Sequence, residues 1–233
     1  MKSSMLVLVA VTLIVVCCSL PALFRWRKQQ RELREKQLAS LSNRSDRLLY
    51  ALETLSDRYL AKETKVFILE YLLSAIEQLI TANFQSSFVT KKTYLIRLLT
   101  EVKLGKSVMV KDRVASQQQL EQIQNALQVM LRELRHLTEQ YGVSRTIIRH
   151  HIVLIRYAHA LAHRDLLVRQ ARHDLDNDKK GRALEKYRAA LSVIEKNATV
   201  SGAQREAVRL RNMIQDVEKV LFAKRNKTES ELK

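Results

Sequence analysis

The side chains with the most chemical capacity are six histidines and a row of arginines on one predicted helix. His159 and His163 are four apart, so on a helix they share a face and could ligate one metal ion. His136, His150, His151 and His173 do not complete that pair. His151 falls about 80° from His159 in helical phase, and no H-E-x-x-H or E-x-x-H pattern accompanies them. His151 lies on the apolar face of its helix and reads as a packing histidine. Four glycines cannot build a phosphate-cradling loop, and both cysteines, Cys17 and Cys18, lie inside an apolar run. There is no G-x-S-x-G. No metal, no cofactor and no enzymatic activity are expected.

The arginines form two groups. Arg145, Arg149 and Arg156 align along one helix face with His163. Residues 144–175 hold six arginines and only two carboxylates, Asp165 and Asp174, so the stripe has few acids on its own helix to pair with. It is suited to carboxylates of a neighbouring helix or of a partner, or to lipid or nucleic-acid phosphate. The second group is Arg25, Arg27, Lys28, Arg31 and Arg34. It follows directly on residues 5–24, MLVLVAVTLIVVCCSLPALF, which carry no charge.

That apolar run has the length a helix needs to cross a bilayer, about 20 residues. Trp26 stands at interfacial depth, and the basic residues after it direct the downstream chain to the cytoplasm. The expectation is a single-pass signal-anchor, N-terminus outside, as in a bacterial inner membrane. The competing reading is a signal peptide cut after Ser19, leaving an exported helical domain. The lone Lys2 before the run, and the basic start that such a mature chain would have, oppose it.

The divisions expected are an anchor at 1–24, a basic juxtamembrane stalk at 25–60, a helical domain at 61–224 and a disordered tail at 225–233. A single proline, inside the anchor, and four glycines leave little material for β-turns, while good helix formers dominate. The fold class expected is all-α: a transmembrane helix followed by about six helices arranged as antiparallel hairpins. Apolar spacing places those helices at 63–82, 90–104, Gln117–Gln140, 145–175, 179–197 and 203–224. Residues 106–114 are the one strand-like stretch and read as a loop. Ser116 and Ser144 are expected N-caps and Gly105 a C-cap. Inward positions include Tyr94 on the third of these helices counted from the anchor, Ile147 on the fifth, and Val208 and Val220 on the last.

Leu38, Leu41, Ser45, Leu48, Leu52, Leu55 and Tyr59 follow alternating three- and four-residue steps. Such a seam can pair two chains as a coiled coil or pack on its own domain; Asn43–Asp46 could break the helix. Near the C-terminus, Ala171, Ala183, Tyr187 and Ala190 are spaced so that residues 164–197 resemble one tetratricopeptide repeat. Gln170 and Asp174 stand where that family has an apolar and an aromatic residue, and no second copy follows. The resemblance covers about a seventh of the chain and implies a helical hairpin.

These features converge on a membrane-anchored helical scaffold whose partners are the bilayer and other proteins, such as subunits of a membrane complex, with a homodimer through the leucine seam. With 41 Lys+Arg against 24 Asp+Glu and a net charge of +17, the alternative is a tethered basic protein that binds nucleic acid or anionic lipid. Aromatic residues do not interleave with the basic runs as stacking platforms require, which disfavours nucleic acid.

Overall fold

A computed structural model describes the backbone of residues 2–105, 113–140, 144–197 and 199–231, and the side chains of 25–105, 113–137, 144–197 and 199–221. Its described residues form seven α-helices and no strand: α1 (Lys2–Thr54), α2 (Lys62–Thr81), α3 (Lys92–Lys103), α4 (Gln117–Gln140), α5 (Arg145–Asp176), α6 (Lys180–Glu195) and α7 (Ser201–Glu231), with a 3₁₀ turn at Val89–Lys91 before α3. α1 packs on α2 and α4, α2 on α3, α4 on α5, α5 on α6, and α6 on α7.

Two apolar clusters result. The larger joins α1–α4 to the first two-thirds of α5, from Leu41 to Leu166. The smaller joins the end of α5 to α6 and α7, from Val168 to Val217. α5 therefore runs through both. Along its first half it buries one face, with Ile148, His151 and Ile155 inward; from Ala160 to Leu166 nearly every position is enclosed. Tyr157 packs against both clusters. A Cβ on Gly202 would stand 3.0 Å from the Tyr157 hydroxyl, so this glycine lets the start of α7 approach α5 closely. Ala171, Ala183, Tyr187 and Ala190 are all buried in the smaller cluster, and the α5–α6 pair forms the hairpin that the repeat resemblance implies.

Helix ends follow local chemistry. The Ser116 hydroxyl accepts the Gln119 N–H at 3.2 Å, and the Gln119 side-chain carbonyl accepts the Ala115 N–H at 2.8 Å, a variant of the reciprocal cap. Ser144 makes no side-chain cap to α5, contrary to expectation. Gly105 follows α3 with φ +71°, and Asn83 and Asp178 end α2 and α5 with φ 52° and 57°. All three occupy the left-handed conformation that stops a helix.

Several boundaries differ from expectation. α1 continues through Asn43–Asp46, where Ser42, Arg44 and Asp46 bond to other elements instead of to their own backbone. The Ser42 and Ser86 hydroxyls meet at 2.5 Å, Arg44 donates to Glu133 at 2.8 Å and Lys91 to Asp46 at 2.9 Å. The domain also begins earlier than residue 61. Residues 25–37 are exposed on every side, and burial sets in from Leu38. Tyr94, Ile147, Val208 and Val220 are exposed; each sits at the margin of an apolar stripe wider than the neighbour that covers it. The strand-like stretch lies outside the described residues as far as residue 112. Gly142 does too, and the tail at 225–233 lies outside the described side chains.

Among the described residues no helix is long and apolar enough to cross a membrane. The expected anchor, 5–24, lies outside the residues whose side chains are described.

Candidate functional site

The residue that gathers the most polar contacts is Asp165. At 100° per residue it falls on the α5 face that carries Ala158 and Leu161, so it enters the interior with the apolar side chains. Its carboxylate is wholly buried and takes four hydrogen bonds. Arg58 donates through Nε at 2.5 Å and Nη2 at 2.8 Å, Tyr59 through its hydroxyl at 2.9 Å, and Arg164 through Nη1 at 2.7 Å. The Tyr59 oxygen in turn accepts the Val114 N–H at 3.0 Å. Arg164 Nη2 forms an ion pair with Glu206 on α7 at 2.5 Å. One charged cluster thus ties together the α1–α2 link, the segment before α4, α5 and α7. It stands where the two apolar clusters meet, between Leu166 and Val168.

The ionisation of these groups follows from the contacts. Burial alone would raise the Asp165 carboxyl, but hydrogen bonds from Arg58 and Arg164 hold it below the usual range. Arg58 is raised, chiefly by its hydrogen bond to Asp165. Tyr59 is pushed up to about 12 by burial and by the Asp165 charge. At neutral pH Asp165 and Arg58 are therefore ionised and Tyr59 is not. Four donors occupy the four lone-pair directions of a carboxylate, so Asp165 has no coordination site left for a cation.

Beside this hub opens a cleft of about 260 Å³ lined by Arg113, Val114, Asp165, Val168, Arg169 and Arg172. The three arginines are exposed. Among the described residues no carboxylate forms an ion pair with Arg113, Arg169 or Arg172. Arg172 lies against the Tyr187 hydroxyl, whose pKa burial raises and the guanidinium lowers in part.

Arg145, Arg149 and Arg156 are exposed along one face of α5 and form no ion pair among the described residues. Arg169 and Arg172 stand on roughly the opposite side of the same helix, so the stripe and the cleft are separate surfaces. Arg25, Arg27, Lys28, Arg31 and Arg34 are exposed on the projecting part of α1. The leucine seam is internal: Leu48, Leu52 and Leu55 are fully buried, Leu41 is 8% exposed, and Leu38 packs against the same core. Leu41, Leu48, Leu52 and Leu55 are covered by the chain's own helices, and Leu38 in part.

The histidines pack as side chains. His151 is buried, its Nδ1 3.1 Å from the Thr64 hydroxyl and its ring 4.4 Å from that of Phe67. His159 and His163 are half-buried, and among the described residues no three His, Cys, Asp or Glu side chains cluster closely enough to hold a metal ion.

The Asp165 hub was missed in the sequence, although a signal was present. Arg164-Asp165 interrupts the apolar face of α5, and a carboxylate there must be paired to be buried. Arg58 and Tyr59, 107 and 106 residues away along the chain, and Glu206, the distant partner of Arg164, could be supplied only by the fold. No protein-family model, curated protein or solved structure matches this chain.

Proposed function

We propose that this protein is a single-pass membrane-anchored scaffold that holds a helical interaction domain at the cytoplasmic face of a membrane. The observation that supports this reading is the course of α1. Residues 25–37 stand clear of the domain with Arg25, Arg27, Lys28, Arg31 and Arg34 exposed, while Leu48, Leu52 and Leu55 of the same helix are locked in the core. The uncharged run 5–24 precedes them. A rigid stalk of about 20 Å, at 1.5 Å per residue, would carry the domain off the surface. Each juxtamembrane cation near anionic lipid adds about 1 kcal/mol of attraction. Trp26, 58% exposed, suits the interface between headgroups and water.

The domain offers the exposed Arg145, Arg149 and Arg156 stripe, without ion pairs among the described residues, as its contact surface, and carboxylates of a protein partner match it. Washing membranes with alkaline carbonate and high salt tests the anchor, and a C-terminal topology reporter tests the orientation. Retention in the pellet and a cytoplasmic reporter are expected. Release by carbonate, or a mature N-terminus near Leu20, would overturn the reading. The alternative of nucleic-acid binding draws on the same stripe. It predicts that the full chain in detergent retards DNA or RNA at low salt with steep salt dependence, and that Arg149→Gln weakens this.

A further inference from the structure

We infer that the cleft bounded by Arg113, Arg169 and Arg172 is a binding site for a phosphate-monoester dianion. The phosphate chemistry of the cleft does not depend on the anchor; the choice of a soluble phosphate over a lipid headgroup rests on that reading. Arg113, Arg169 and Arg172 line one concavity of about 260 Å³ with no ion-pair partner among the described residues. Like charges brought together this way repel one another, and the arrangement costs the fold stability unless an anion occupies it. Guanidinium forks match the oxygens of a phosphoryl group in pairs. The one acid on the wall, Asp165, does not oppose such a ligand, because Arg58 and Arg164 neutralise it from behind. Its saturation also excludes a cation at the same place.

Size and position select the ligand. The volume is below the common range for whole drug-sized molecules, roughly 300–1,000 Å³, and fits a phosphoryl group with a small substituent. A nucleic-acid backbone needs a continuous basic track, and the Arg145, Arg149 and Arg156 stripe lies on the other side of α5. The Val114 N–H bonds to Tyr59, so the cleft sits by the far end of α1. From residue 25 to Thr54 the helix rises about 45 Å, at 1.5 Å per residue. A lipid headgroup in a bilayer at the start of the stalk is out of reach. The ligand is therefore a soluble phosphate, free or carried on a small molecule.

The test is titration of the full chain in detergent micelles with inorganic phosphate and with O-phospho-L-serine, at constant ionic strength in chloride. It is read by calorimetry and by the rise in Tm. Saturable binding of one or both is expected. Arg169→Gln should weaken it at least tenfold, and the R113Q/R169Q/R172Q variant should abolish it while its ligand-free Tm stays equal to the parent or rises. R145Q/R149Q/R156Q should bind as the parent does. Tighter binding of phosphoserine identifies a small phosphomonoester, and equal binding identifies free phosphate. Absence of saturable binding, full binding by R113Q/R169Q/R172Q, or equal loss in R145Q/R149Q/R156Q would each overturn the inference. Membrane attachment is not read by any of these, so the outcome is separate from that of the scaffold proposal.

Discussion

At the scale of single residues, Asp165 shows how a charge is tolerated inside an apolar fold. Its four hydrogen bonds replace hydration, and removing its charge leaves Arg58 without its counter-ion and Arg164 with Glu206 alone. Asp165→Asn should lower the unfolding free energy by about 3–5 kcal/mol, measured by urea denaturation. Tyr59→Phe removes a donor to Asp165 and strands the Val114 N–H, at a cost of about 1–3 kcal/mol. His151 gives a pH dependence. Burial, and then the neighbouring His150, lowers its pKa, with Glu63 opposing; burial and then His163 lower His159. The unfolded chain therefore takes up these protons first as pH falls. The stability they contribute is complete above their unfolded pKa of about 6.5 and declines from there toward the lower folded values. The urea midpoint should fall between pH 7.5 and 5.5, less steeply in His151→Gln and least in H151Q/H159Q. An unchanged slope in the double variant would show that other groups carry the effect.

At the scale of elements, α1 changes character along its length, from an exposed basic rod to a core helix. Leucines at three- and four-residue steps are what both a coiled coil and a buried helix require, so the pattern alone does not distinguish them. Packing on α2 and α4 does, and the Glu133 carboxylate, buried on α4, accepts Arg44 and Arg47 of α1 at 2.8 and 3.5 Å. Leu52→Ala should accordingly cost about 2–5 kcal/mol and leave the oligomeric state in detergent unchanged. A shift from dimer to monomer in sedimentation would return the seam to a partner chain. α2, α4 and α5 were legible because each carries a long periodic stripe and a polar boundary. The start of the domain was not, because the polar stretch 42–46 resembles a break in the sequence, while Ser42, Arg44 and Asp46 are bonded across elements in the fold.

For the whole molecule, the two apolar clusters share α5, Tyr157 and the Asp165 hub. Arg164 is the one side chain in that hub that pairs with α7, through Glu206. Glu206→Ala should therefore loosen the α6–α7 unit ahead of the rest. Hydrogen exchange is expected to accelerate in Lys180–Leu221 with little change in α2; a uniform acceleration would mean that the molecule opens as one unit.

The sequence by itself determined the helical class, the placement of most helices, the basic stretch after residue 24 and the inward His151, because hydrophobic period and local capping act within one or two turns of chain. Only the tertiary structure decided that the leucine seam is internal, that Asp165 is the centre of a buried ion cluster, and that Arg113 joins Arg169 and Arg172 around one cleft. Each of those depends on which distant side chains meet. Periodicity says which face of a helix is buried; the packing of other helices determines what lies against it.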